Sequence, residues 1–165
     1  RIDRNKGCDA LFEYFADYLA DRDDVSLVLA GAAKMVVPTH PRIRALGYVD
    51  EAFREQLLVH AYALVVPSPY ESLSMVLLEA WNHGVPALVN GRCAVLSGQV
   101  RRANGGLAYR SSREFRACLD YLLDHADERR AFGAQGLAYV EREYRWPAVL
   151  ARVERVVAAA CTVSP

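Results

Sequence analysis

The twenty-six residues from 65 to 90, VVPSPYESLSMVLLEAWNHGVPALVN, constrain the fold more than any other stretch, because a strand, a turn, a helix and a second strand must all fit inside them. Residues 63–66 are a short unbroken apolar run, β-branched at its end, that stops at Pro67, Ser68 and Pro69. An apolar run without polar alternation reads as a strand of a parallel sheet, buried on both faces. Ser72 and Ser74 offer N-cap groups. Met75, Leu78, Glu79 and Asn82 then follow at helical spacing until Gly84 and Pro86 close the helix, and residues 85–89 are strand again. The same alternation runs through the chain with short connections, which predicts an α/β fold with a parallel sheet flanked by helices on both faces.

Glu71 and Glu79 are the acids of this stretch. With a helix beginning near Ser74, Glu71 lies on the loop before it. Glu79 lies inside the helix with its carboxylate leaning back toward the N-terminus, so that both look into one cleft. The N–H groups of Leu73, Ser74, Met75 and Val76 are the unpaired donors of the helix start, a seat for a phosphate or a sugar hydroxyl. Spacing alone leaves a second reading open, with Glu71 a dipole-favoured acid and Glu79 a solvated helix residue.

The pattern P-S-x-x-E, seven residues, E-A, then G-x-P resembles the donor-binding signature of the retaining glycosyltransferases with two Rossmann-like domains, the GT-B fold, and in particular family 4, the glycosyl transferases group 1. The likeness begins at Arg1 and extends over nearly the whole chain. It implies that the chain is the C-terminal, donor-binding domain, that Glu79 binds the ribose hydroxyls of a nucleotide sugar, and that Glu71 lies against the transferred sugar. Leu73 and Ser74 depart from it, standing where the family often has an aromatic residue and a glycine, as does Trp81, where a small residue or Met is usual.

The opening RIDRNKG places Arg1 and Lys6 on either side of a polar turn before the amphipathic run 8–19, whose apolar face is Leu11, Phe12, Phe15, Tyr18 and Leu19. Two cations at a helix N-terminus oppose its dipole unless an anion sits between them, and a solvated basic turn is the alternative. The resemblance assigns them: G-R, four residues, then K is the family's diphosphate-binding loop, with the glycine and the domain's first strand expected upstream of Arg1. Because the chain opens in a loop and not on Met, residues 1–165 are expected to be one domain of a longer two-domain chain, its N-terminal acceptor domain missing.

Residues 25–30 and 43–49 read as two further strands, joined by a loop with two prolines, AAKMVVPTHP. Gly47, Tyr48 and Val49 would end the second at the ligand side, where the family holds the nucleobase, so Tyr48 and Val49 are candidate donor contacts. A tyrosine of the core or of an interface is the other reading of Tyr48. Asp50 caps a helix that runs to about His60. A short helix at 94–100 lies in a loop that by resemblance covers the donor, with Arg92 its candidate contact; a strand follows at 107–109. Ser111 or Ser112 caps one helix, Asp127 the next, and Trp146 and Pro147 open a last one with an apolar patch near Trp146 and Val149.

The formal charge is zero, which leaves no basic surplus for nucleic acid. Cys8, Cys93, Cys118 and Cys161 are far apart, without C-x-x-C or histidine at ligand spacing, so no metal site or disulfide framework is expected and reduced thiols point to the cytoplasm. No apolar run reaches the roughly 20 residues of a membrane span; a peripheral location at the inner face of a membrane stays open for a longer protein. The expected partners are a nucleotide sugar, needing no metal or other cofactor, and a sugar or lipid-linked acceptor. Arg1, Lys6 and Glu71 are the candidate catalytic residues. A sugar-nucleotide epimerase and a nonenzymatic nucleotide-binding module of the same fold are the competing readings.

Overall fold

A computed structural model describes residues 1–162. A 3-10 turn at Arg4–Lys6 leads into α1 (Cys8–Leu19), then β1 (Leu27–Leu29), β2 (Ile43–Ala45), α2 (Glu51–Val59), β3 (Leu64–Val66), α3 (Met75–Asn82), β4 (Ala87–Asn90), α4 (Ala94–Ala103), β5 (Gly106–Tyr109), α5 (Ser112–Asp124), α6 (Ala126–Tyr144) and α7 (Trp146–Thr162). Among the described residues every pairing between these strands is parallel. Parallel neighbours require a crossover, and α3 and α4 supply the two that put β4 between β3 and β5.

One sheet was expected and two pieces are found: β1 pairs with β2, and β3, β4 and β5 form a separate ladder. With three residues each, β1, β2 and β3 carry few ladder bonds, and the pieces are joined through apolar packing instead. Leu27, Leu29 and Ile43 share one buried cluster with Leu88 of β4, Tyr109 of β5, Phe115 of α5 and the face Leu11, Phe12, Phe15 and Tyr18 of α1. Fully burying an aliphatic or aromatic side chain contributes about 1.5–3 kcal/mol, so this cluster binds the two pieces more firmly than a few ladder bonds would. The Tyr18 hydroxyl donates to Asp120 on α5 at 2.5 Å.

A second cluster packs α3, α4 and α6 against the other face of β4, with Trp81 at its centre. Trp81 is fully buried, its indole N–H donates to the Gly105 carbonyl at 2.7 Å, and its ring meets Tyr139 edge-on. The space comes from α6: a Cβ at Gly136 would lie 2.3 Å from the indole. The unexpectedly large residue at position 81 is therefore a core element seated on glycines.

Several boundaries differ from the sequence reading. The second strand stops at Ala45, not 49, because the chain turns so that the Gly47 carbonyl takes the Gly31 N–H at 2.7 Å. The helix expected at 94–100 continues to Ala103. Asp127 is not a cap: α6 begins two residues earlier than expected, at Ala126, with His125 as N-cap and Asp127 in the first turn. Ser74 stands at the N-cap of α3, but neither its side chain nor that of Ser72 caps the helix. Asp50 and Ser111 do cap, accepting from Phe53 N–H at 2.8 Å and Glu114 N–H at 3.2 Å. Among the described residues, no helix is long and apolar enough to cross a membrane.

Candidate functional site

The loop after β3 is where the candidate residues gather, at the carboxyl ends of the strands, the usual ligand position of such sheets. Three contacts fix it. Gly7 sits in the left-handed region (φ 71°) between the 3-10 turn and α1, and packs so closely on the loop that a Cβ would lie 2.3 Å from the Pro67 oxygen. Asn90, at the end of β4, donates its amide N–H to the same oxygen at 2.9 Å, and buried Ser68 donates to the Tyr70 carbonyl at 2.9 Å. The approach at Gly7 brings the preceding Lys6 onto Glu71, whose Oε1 accepts from Nζ at 2.7 Å. The Glu71 side chain is only 14% exposed, so the pair is partly shielded from water.

Arg1 and Lys6, expected either to flank an anion or to form a solvated basic turn, each already face a carboxylate. Lys6 holds Glu71, and Arg1 is ion-paired with Asp3. Asp3 is buried, and its other oxygen accepts the Lys6 backbone N–H at 2.9 Å, capping the 3-10 turn. Asp3 thus joins the Arg1 side chain to the backbone of Lys6. Next to it, burial pushes the Cys8 thiol above its ordinary range, which keeps it a neutral core group.

Glu79 does not join this pair. It faces Arg54 of α2 at 3.7 Å, a residue that sequence reasoning missed; Arg54 also reaches Glu51 at 3.7 Å, and its Nε is buried without a hydrogen-bond partner among the described residues. Each glutamate thus stands opposite its own cation. Tyr48 and Val49 lie on the turn between β2 and α2; Tyr48 is 89% exposed and so is no core residue.

Glu71 and Ser72 line an open cavity of about 570 Å³ with Tyr70 on one side and Arg92 and the start of α4 on the other. Leu73, Met75 and Val76, at the head of α3, are all exposed, Met75 by 60%. Unpaired N–H groups at a helix start attract anions and oxygen ligands, and exposed apolar side chains beside them favour a partly apolar guest. Among the described residues no three metal-ligating side chains cluster.

The profile of the family described as glycosyl transferases group 1 matches residues 1–125, three quarters of the chain. The chain belongs to that family. No curated protein sequence matches it. Among solved structures it is similar to sucrose-phosphate synthase from Thermosynechococcus elongatus, with TM-score 0.77 at 20% identity, covering 99% of this chain and 44% of that one. It is also similar to Anabaena HepE in complex with UDP, with TM-score 0.76 at 15% identity, covering 96% and 47%. A third likeness is to the C-terminal domain of a group 1 glycosyl transferase, LpcC, from Francisella tularensis, with TM-score 0.73 at 19% identity, covering 88% and 83%. The fold is accordingly that of the C-terminal Rossmann-like domain of GT-B glycosyltransferases, and the chain spans less than half the length of the first two relatives.

Proposed function

We propose that this chain is the nucleotide-sugar-binding domain of a retaining hexosyltransferase whose acceptor-binding domain lies elsewhere in a longer protein. The observation that carries the reading is the Lys6–Glu71 pair, whose Glu71 lines the cavity after β3 and whose Lys6 backbone is joined through Asp3 to Arg1. The complex of HepE with UDP, a protein of the same fold, supports a nucleoside diphosphate as the ligand.

In this reading the diphosphate enters between Lys6, Arg1 and the N–H groups of residues 73–76. It takes over the cations from Glu71 and Asp3, and Glu71 turns to the sugar. Charge-assisted bonds then stabilise the departing diphosphate as the glycosidic bond breaks, so the reaction needs no metal. The acceptor hydroxyl attacks from the face the diphosphate leaves and passes its proton to the departing phosphate oxygen, which retains configuration without a covalent intermediate, while Glu71 orients the sugar and offsets positive charge at its anomeric carbon. Glu79 holds the ribose hydroxyls in exchange for Arg54, and Tyr48 and Val49 border the base. The acceptor is a saccharide or lipid-linked sugar on the other domain, in the cytoplasm or at the inner face of a membrane. The chain by itself binds donor weakly and turns over little.

The test is a titration of the chain with UDP, GDP and ADP, repeated on Lys6→Ala. Loss of one charge-assisted contact costs about 1.5–3 kcal/mol, so the preferred diphosphate should bind roughly tenfold or more weakly to the variant. Equal affinities in the two folded proteins would remove Lys6 from the site.

A further inference from the structure

Among the described residues lining the cavity after β3, Arg92 is the one cation and Glu71 the one acid. Glu71 already holds Lys6, whereas the exposed Arg92 has no ion pair among the described residues. The two line one cavity without pairing with each other, so the space between them is open to a guest. Asn90 fixes the two walls: its amide N–H donates to the Pro67 carbonyl on the loop of Glu71 at 2.9 Å, and its Oδ1 accepts the Arg92 N–H at 3.0 Å. A second cation backs this wall. Arg110, after β5, packs on Gly91, where a Cβ would lie 3.1 Å from its Cγ, and its Nε–H donates to the Gly91 carbonyl at 3.4 Å. The Glu114 carboxylate takes the Arg110 backbone N–H at 2.7 Å, and the Arg110 guanidinium has no ion pair among the described residues. Neighbouring like charges repel unless an anion joins them, so the wall facing Glu71 attracts a negative group.

From this geometry we infer that the transferred sugar is a hexuronic acid, and that Arg92 selects it by gripping its carboxylate. The inference rests on the donor reading above and narrows it. That reading gives Lys6 and Arg1 to the diphosphate and Glu71 to the sugar, which leaves Arg92 on the sugar side with its charge uncompensated. The cavity, of about 570 Å³, holds a hexose ring with hydroxyls toward Glu71 and Ser72 and its C6 group toward Arg92. A neutral hexose offers one hydroxyl there. A uronate offers a planar carboxylate that matches the guanidinium fork oxygen for nitrogen. Because Arg92 is exposed, the attraction is modest and is screened by salt.

The test first titrates the chain with UDP, GDP and ADP, following NMR chemical shifts because binding is weak. It then compares glucose with glucuronate, and galactose with galacturonate, each carried on the diphosphate that binds. At low salt one uronate should bind about fivefold more tightly than its neutral hexose, and the preference should shrink as salt rises. Arg92→Gln should remove the preference, and Arg92→Lys, which keeps the charge without the fork, should retain part of it. The quantity read is a ratio of two affinities within one folded protein, which a general weakening of diphosphate binding does not move. If neither uronate outbinds its hexose, or the preference survives Arg92→Gln, the inference is overturned while the donor reading stands. A loss in Arg92→Gln shared equally by both sugars assigns Arg92 to the diphosphate and also overturns it. Binding of none of the three diphosphates by the folded chain sinks the donor reading, and the inference with it.

Discussion

At its C-terminal end α3 is closed against the core, with only Asn82 left exposed. Trp81 is fully buried with its N–H bonded to Gly105, the N–H groups of His83, Gly84 and Val85 fold back onto the carbonyls of Ala80 and Trp81, and Gly136 of α6 lies against the indole. Eight residues earlier the same helix starts with no side-chain cap and with Leu73, Met75 and Val76 facing solvent. Polar groups are rarely left unpaired where nothing external will pair them, so the contrast separates the part of α3 that holds the sheet together from the part presented to a ligand. Substitutions at the closed end should change stability, and those at the open end binding.

The largest effect belongs to Trp81. Trp81→Ala removes a fully buried indole and its hydrogen bond, and should lower unfolding free energy by about 3–5 kcal/mol in a denaturant titration. A loss below about 1 kcal/mol would mean that the closed end is not anchored there. Gly136→Ala tests the same seat from the other side. Its new methyl would crowd the indole, and overpacking of this kind should cost about 1–3 kcal/mol.

This division is only half visible in the sequence. The apolar face of α1, the caps Asp50 and Ser111, and the strand, loop, helix and strand of residues 65–90 are local patterns, and the structure reproduces them to within a residue or two. Residues 43–49 misled because Gly47, Tyr48 and Val49 continue a strand-like run, whereas the bond between Gly31 and Gly47 that ends the strand joins two loops. The resemblance brought Lys6 and Glu71 to one site, but their direct pairing, across sixty-five residues, follows from a glycine contact that no spacing rule encodes. Arg54 opposite Glu79 was equally illegible: along α2 it looks like an ordinary partner for Glu51. The large residue at 81 depends on Gly105 and Gly136, which are distant in sequence and leave the space for its indole.

Glu79 lies between the two ends, and it sharpens the comparison because it is partly buried yet paired only at 3.7 Å. Glu79→Gln should weaken binding of the preferred nucleoside diphosphate by about 1–3 kcal/mol through loss of charged hydrogen bonds. Its effect on unfolding should stay under about 1 kcal/mol, the usual worth of a solvent-accessible ion pair. The reverse outcome, unchanged affinity with a large loss of stability, would move Glu79 into the scaffold with Arg54 as its structural partner.

The smallest effect is expected at the N-cap itself, where two helices of the chain provide an internal control. Asp50 caps α2 through a 2.8 Å bond to the Phe53 N–H, so Asp50→Ala should cost about 1 kcal/mol. Ser74 occupies the same position on α3 and is of a good capping type, but its side chain makes no capping bond. Ser74→Ala should therefore change unfolding free energy by less than about 0.5 kcal/mol, since no bond made in the folded chain is lost. If the two substitutions cost the same, the head of α3 is closed by its own serine in solution, and its N–H groups are not held open for a ligand.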